Sequence, residues 1–458
     1  MAPRIAIIGG GSYQWVPKLL VDLANTPALH EAEIVLEDID PAPLPPMLDL
    51  VEHIASTRGI GLTGSTTTDQ RAAIEGADYV VASISTGGFD SMNIDLEIPE
   101  HYGIRQSVGD SVGPGGIIRA LRNIPIFTEL AHNMEELCPD AWLLNLSNPM
   151  TTISRAVTRE SSITTIGLCH EVTIMQFTLS LLLDAKFFDV SPTVAGVNHL
   201  PFITALDVGG NDGLAMLTDL VEHIDERGGE PLSMPFPEGL GHEKISEGPD
   251  WTKGDLVAAH RVKLELLARF GVLPAAGDRH VVEFFPGFLT EDSQWGERWG
   301  IKLTSIDERE YWAKRYRTEF DEMLASPEVS AMPSGEMVAP IIVCHREGMP
   351  GAFPLNLPNR GQVPDLPDDV VVESMGLVDG DGPRGRDVAA LPPIMAEYLR
   401  RVSTAQELTV EAALTGDRDT VFEAMLADPL AGRTDYDALG RMVDEMLAGT
   451  SRWLPQFV

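Results

Sequence analysis

Three cysteines in 458 residues, Cys138, Cys169 and Cys344, are too few and too scattered to build a disulfide framework, and their odd number leaves at least one thiol free. A reducing cytoplasm fits that usage. Basic residues are scarce as well: 33 Lys and Arg against 69 Asp and Glu give a formal net charge of −36. A field of that sign repels phosphate backbones and anionic lipid surfaces, so nucleic acid is excluded as an expected partner. Long apolar runs are missing. The stretch Ile5 to Ile8 is too short for a signal-peptide core, and the longest candidate elsewhere, residues 174–188, is broken by Gln176, Thr178, Asp184 and Lys186. Neither export nor a membrane span is expected.

What remains is the composition of an ordinary globular protein, 44% hydrophobic and 22% charged, without internal repeats or low-complexity tracts. The length is about three times the usual single-domain size, which predicts two closely packed domains and a core able to bury a catalytic site. Over the first 200 residues short β-branched runs alternate with longer helical patterns. Six strands are expected, at 4–8, 33–37, 79–84, 141–145, 164–168 and 193–197, mostly apolar throughout, as strands buried on both faces should be. That pattern predicts an α/β fold, a doubly wound parallel sheet of the Rossmann type over residues 1–195. Residues 196–458 read as an α+β domain that supplies a substrate-pocket wall and a subunit interface. Its helical stretches fall near 253–270, 307–324 and 391–426, with Pro/Gly-rich loops between them, notably 347–369.

Ligands of doubly wound sheets bind beyond the carboxyl ends of the strands, and the residues there are the most unusual in the chain. Gly9-Gly10-Gly11-Ser12 follows the first strand and precedes a helical run, a turn that lets backbone approach a pyrophosphate at a helix N-terminus. The third glycine of the usual fingerprint is Gln14 here. Asp38, with Asp40 in reserve, ends the second strand where a ribose hydroxyl needs an acceptor, and the two features together predict dinucleotide binding. Asn145-Leu146-Ser147-Asn148-Pro149 ends the fourth strand and leaves two amides at the sheet edge. Asp110-Ser111 precedes Gly113-Pro114-Gly115-Gly116 at the start of a helix, where capping alone would also account for both residues. Cys169, at the end of the fifth strand, should have its thiolate stabilised by the following helix. His199 ends the sixth, and the pair suggests a metal site with coordination positions left open. Asp278-Arg279-His280, followed by Glu283, precedes an apolar strand-like run and also reads as a salt-bridged turn.

In this order, the segments resemble the NAD-dependent family 4 glycoside hydrolases over nearly the whole chain, from Gly9-Gly10-Gly11-Ser12 through Cys169-His170-Glu171-Val172, Asn198-His199-Leu200 and Asp278-Arg279-His280 to Asn359-Arg360-Gly361 and Leu366-Pro367. The resemblance implies that NAD takes a hydride from C3 of a sugar while manganese, or another divalent metal, held by Cys169 and His199 polarises the oxygens on C2 and C3. A base then removes the C2 proton, the aglycone leaves C1, water adds and the hydride returns. It implies NAD contacts at Gly9, Gly11, Ser12, Asp38 and Asn145, and sugar contacts at Asn148, His170, Asn198 and Arg279. Asp110 would be the leaving-group acid and Asp278 a water-accessible base. Cys-His-Glu-Val looks like the α-glucosidase, α-galactosidase and α-hexuronidase members, and no basic cluster in the sequence marks a phosphate pocket, so an unphosphorylated α-hexoside is expected. A homodimer or homotetramer in the cytoplasm completes the expectation. The rival reading is a lactate- or malate-type dehydrogenase, which shares the nucleotide fold and the Asn-Pro turn but has no use for a Cys/His metal pair.

Overall fold

The computed structural model describes residues 2–234, 251–329 and 334–457. Its strands form one continuous sheet. The parallel part consists of β1 (Arg4–Ile8), β2 (Glu33–Glu37), β3 (Thr63–Thr67), β4 (Tyr79–Ala82), β5 (Trp142–Asn145) and β6 (Thr165–Gly167), in the order β3-β2-β1-β4-β5-β6. This is the dinucleotide-fold order, with its switch point between β1 and β4. The remaining strands are β7 (Val190–Val197), β8 (Leu200–Val208), β9 (Asn211–Asp212), β10 (Leu273–Pro274), β11 (Gly351–Pro358), β12 (Val371–Asp379) and β13 (Gly382–Gly385), all antiparallel to their neighbours. They extend the sheet as β6-β11-β12-β7-β8-β10, with β9 and β13 as short partners of β8 and β12. The fold is therefore Rossmann-like on one side and antiparallel on the other.

Alternation explains why both faces are covered. Ala6 and Ile8 of β1 join one apolar cluster, Ile5 and Ile7 the other, as a two-residue side-chain period requires. The helices that position the site are α1 (Val16–Ala24), α2 (Gly113–Leu137), α3 (Met150–Glu160), α4 (Glu171–Leu182), α5 (Lys253–Ala259), α6 (Arg261–Phe270), α7 (Asp278–Phe284), α8 (Ile306–Ala325), α9 (Pro393–Thr415) and α10 (Arg418–Ala427). Val410 of α9 and Met425 of α10 share a cluster with Leu121 and Phe127 of α2 and with Ala6 of β1. The end of the chain thus closes over the first half. No helix among the described residues is long and apolar enough to cross a membrane.

Several expectations are corrected. Strand 193–197 is the end of β7 and runs antiparallel, whereas β3 completes the parallel set; its sequence TGSTT has no apolar residue, so an edge strand buried on neither face leaves no hydrophobic trace. The presumed loop 347–369 contains β11, whose Gly351, Pro354 and Pro358 disguise a strand fixed by its full pairing with β12. The run after Asp278 is the helix α7, buried on almost every side, and so without the amphipathic period that separates helix from strand. The expected helix over 253–270 divides at His260, and that over 391–426 at Gly416, where φ is +71°.

Candidate active site

The carboxyl ends of β1, β2 and β4 open into a cleft of about 720 Å³ lined by Gly9, Gly11, Ser12, Asp38, Asp40 and the segment after β4. Glycine is needed here for close approach. A Cβ on Gly9, where φ is +87°, would lie 2.2 Å from the Ser83 carbonyl oxygen, and one on Gly11 would lie 2.3 Å from Pro43 Cγ and 2.8 Å from Asp38 Oδ2. The Gly11 N–H donates to Asp38 Oδ2 (3.0 Å) and the Asp40 N–H to Asp38 Oδ1 (3.0 Å), which fixes the carboxylate at the rim. Glu37, buried beneath, is pushed up to about 7 by burial and by the carboxylates of Asp38 and Asp69. A glycine-lined cradle at the start of α1 with a fixed rim carboxylate fits a dinucleotide. Asn145 is placed otherwise: fully buried, its amide accepts from the Ser147 N–H (2.8 Å) and donates to Ser154 Oγ (3.2 Å).

Further along the same edge, side chains from three segments converge. The helix α2 begins at Gly113 with no side-chain cap, so Asp110 and Ser111 are free for other work. Ser111 Oγ donates to Asp110 Oδ1 (2.8 Å) and lies 2.7 Å from His199 Nδ1. His199 occupies the tight turn between β7 and β8 with φ of +65°, an unusual conformation for a non-glycine residue. Its ring stacks on His280 of α7 with centroids 3.7 Å apart. Asp110, His199 and His280 each present a ligand atom within 4.8 Å of one another. Burial raises the Asp110 carboxyl, but His199, His280 and Arg119 outweigh it and hold the group well below the usual carboxylate range. Burial lowers His199, and burial together with His199 lowers His280 to about 3. Neutral imidazoles beside an ionised carboxylate are the donor set of a divalent cation. As placed, Asp110 is an acceptor beside both imidazoles; the resemblance gives it the part of leaving-group acid.

Cys169 lies one segment away, buried between β6 and α4. Its thiol is pushed well above the ordinary range by burial and then by Glu373, Glu171 and Glu336, which overwhelm the Glu171 N–H that donates to it. Without a metal, burial first and the neighbouring carboxylates second outweigh the expected thiolate stabilisation by the helix terminus, and Cys169 stands outside the set formed by Asp110, His199 and His280. His170 Nδ1 lies 2.8 Å from Glu336 Oε1; burial opposes the imidazolium, but this partner raises its pKa. Asn198 Nδ2 donates to Glu373 Oε2 (3.2 Å), and burial pushes Glu373 up to about 8. Around this ring Asn148 Oδ1, Asn198 Oδ1, His280 Nδ1, Glu336 Oε2 and Glu373 Oε1 are buried without hydrogen-bond partners. Unmatched buried acceptors at that density fit a cation and a hydroxyl-rich ligand, because they are otherwise costly to bury.

Asp278 is placed apart from this ring. Two positions along α7 from His280, it points to another side of the helix. Its carboxylate accepts from the Val262 N–H (2.7 Å) and the Lys263 N–H (3.2 Å) at the start of α6. It is 6% exposed rather than water-accessible. Glu283, on the same helix, accepts from the Val108 and Gly109 N–H groups (2.8 Å each), and burial pushes it up to about 8. It thereby fixes the segment that leads to Asp110. His280 and Ser111 sit in motifs conspicuous in the sequence without a site role attached to them, whereas Glu336 and Glu373 carry no local signal.

Residues 4–185 match the family model described as family 4 glycosyl hydrolase, and residues 194–431 match that of its C-terminal domain. The chain is 34% identical to an alpha-galacturonidase of Thermoanaerobacterium saccharolyticum, across 98% of this chain and 96% of that protein. It is 30% identical to an alpha-galactosidase of Bacillus subtilis, across 99% of each. The solved structure of a putative glucosidase, lplD, from Bacillus subtilis superposes with a TM-score of 0.85 at 31% identity, covering 97% of this chain and 100% of that one. A 6-phospho-alpha-glucosidase from gut microorganisms, solved with NAD and Mn2+, shares the fold at a TM-score of 0.80 and 22% identity, with both chains fully covered.

Proposed function

Because the chain belongs to the family 4 glycosyl hydrolases, we propose that it hydrolyses unphosphorylated α-hexosides with NAD and a divalent metal such as manganese. The observation that carries this reading is a hydrogen-bonded path from the cleft to the imidazole cluster. The Thr86 N–H at the cleft donates to Asn123 Oδ1 (3.2 Å), Asn123 Nδ2 donates to the Asn148 carbonyl (2.9 Å), and Asn148 Nδ2 reaches Asp110 Oδ2 (3.5 Å). A lactate-type dehydrogenase has no need of that second cluster, and relatives named for α-glycosides rather than hydroxy acids support the hydrolase.

Gly9, Gly11, Ser12 and Asp38 would hold NAD; His199, with Asp110 and His280 or with Cys169, would hold the metal. When bound, NAD supplies a hydride acceptor for C3 and the metal a Lewis acid for the oxygens on C2 and C3. The chain's own part is orientation and charge. Asn148 and Asn198 offer buried amide oxygens to sugar hydroxyls, His170 and Arg279 offer donors, and the carboxylates of Asp110 and Glu171 would balance the charge of the cation. A reducing cytoplasm, which keeps the three cysteines free, suits this chemistry.

Direct displacement at C1 never breaks the C2–H bond, whereas oxidation at C3 followed by elimination must. Turnover of p-nitrophenyl α-hexosides in deuterium oxide, with NAD, manganese and a thiol reductant, should place deuterium at C2 of the released sugar. Unlabelled product at the full rate, read by mass spectrometry, would refute the elimination route.

A further inference from the structure

Three arginines far apart in the sequence gather around the segment that leads to Asp110. The Arg119 Nε donates to the Asn148 carbonyl (3.0 Å). Arg279 Nη1 donates to Thr304 Oγ1 (3.1 Å), and the Arg279 carbonyl accepts from Ser107 Oγ (2.5 Å). Arg309 Nη2 donates to the Val108 carbonyl (2.7 Å), while its Nε is buried without any partner. Their charges reach the cluster: Arg279 acts on His199 and His280, and Arg309 on Asp110.

Acids outnumber bases 69 to 33 in this chain, yet among the described residues none of the three arginines enters an ion pair. Glu283, the carboxyl beside the same segment, is held protonated by burial and spends one oxygen on the Val108 and Gly109 N–H groups, so it does not neutralise them. With Asp110 acting only at a distance, guanidinium groups placed half-buried without a carboxylate in direct contact leave fork donors for a ligand, and a planar carboxylate matches that fork.

We propose that Arg279 and Arg309, with Arg119 adding charge, bind the carboxylate of a hexuronic acid, so that the α-hexoside of this site is an α-hexuronide. The assignment rests on the hydrolase reading above and narrows it. A hydroxymethyl group at the same place would leave the buried N–H donors without a charged partner, and such mismatches are rejected strongly.

The test uses the NAD- and manganese-loaded enzyme and compares kcat/KM for p-nitrophenyl α-galacturonide and α-glucuronide with their neutral and 6-phosphorylated counterparts. A uronide preference of at least about 10²-fold is expected. Arg279→Gln and Arg309→Gln should each shrink that preference by roughly tenfold or more, chiefly through KM, and weaken calorimetric binding of galacturonic acid. Arg279→Lys and Arg309→Lys should restore part of it, and they carry the same comparison where a glutamine variant fails to fold. A wild-type preference for the neutral or phosphorylated sugar, or an equal loss on all substrates in the variants, overturns the carboxylate assignment. Neutral hexosides cleaved as fast as or faster than the uronides, with deuterium at C2, would sink that assignment alone; cleavage of no hexoside would sink the hydrolase reading with it.

Discussion

The dinucleotide cleft and the imidazole–carboxylate cluster share one edge of one sheet, but different forces hold them. In the cleft the backbone itself makes the surface: Gly9, Gly10 and Gly11 pass so close to Ser83, Glu37 and Pro43 that no side chain fits, and one rim carboxylate, that of Asp38, is fixed by two main-chain N–H groups. The cluster is made of side chains from the loop before α2, the β7–β8 turn and α7, with Glu336 and Glu373 added from the last third of the chain. Backbone cradles tolerate little variation in shape but need little charge balance. A buried ring of carboxylates and imidazoles is the reverse, since its members set one another's protonation.

The first way to break the comparison is to remove a donor from the cluster. His199→Ala should lower bound manganese and cut turnover by more than the ~10–100-fold typical of groups that only orient a ligand, with NAD binding in the cleft retained. Cys169→Ala and His280→Ala then sharpen the picture: metal content measured on each, under reducing conditions, identifies which of the two completes the set with His199. Loss of NAD affinity together with the metal would show that the two regions are not separable.

How far each region was legible follows from the same difference. The cleft is local, so Gly9-Gly10-Gly11-Ser12 and Asp38 announce it within one strand–helix–strand unit, and β1 and β2 fall on the expected boundaries because their two-sided burial leaves continuous apolar runs. The cluster is visible only in part. Asp110 and His199 stand at strand and helix ends where chemistry is expected, but nothing near Glu336, Glu373 or Arg309 signals that the antiparallel half of the sheet and α8 will bring them to the same place. The arginines escaped as a cluster because they are separated by more than a hundred residues in one case. Asp278 shows the opposite failure: its motif is conspicuous, yet two positions along a helix point to different sides.

Asp278→Asn measures that displacement. The structure gives its carboxylate the N-terminal N–H groups of α6, a capping role whose loss typically costs about 1 kcal/mol, and asparagine keeps one acceptor. A fall in thermal stability is expected, because the buried Lys263 ammonium 4.0 Å from Asp278 Oδ1 also loses its counter-charge, with deuterium still entering C2 of the product. A loss of labelling and hydrolysis together by about 10²–10⁴, the usual effect of removing a general base, would return Asp278 to the reaction and show that α7 presents both of its faces to the site.

The smallest effect probes the cleft, where one buried group breaks the rule that backbone cradles need little charge balance. Glu37 is 4% exposed, and burial, with Asp38 and Asp69 nearby and the Gly9 N–H opposing them, pushes it from about 4.5 to about 7. A raised carboxyl favours the folded state only while protonated. Its contribution is therefore complete below the unfolded value near 4.5 and is lost as pH rises through 7. The shift corresponds to at most ~3 kcal/mol, since one pKa unit is about 1.4 kcal/mol. Glu37→Gln keeps the shape but cannot ionise, and the Gly9 N–H stays on the main-chain carbonyl of residue 37. Relative to wild type it should gain stability between pH 5 and pH 7 and level off above, as followed by urea unfolding in the absence of NAD. A stability difference that stays flat over that range would mean that Glu37 is ionised throughout and that the cleft floor carries its negative charge without cost.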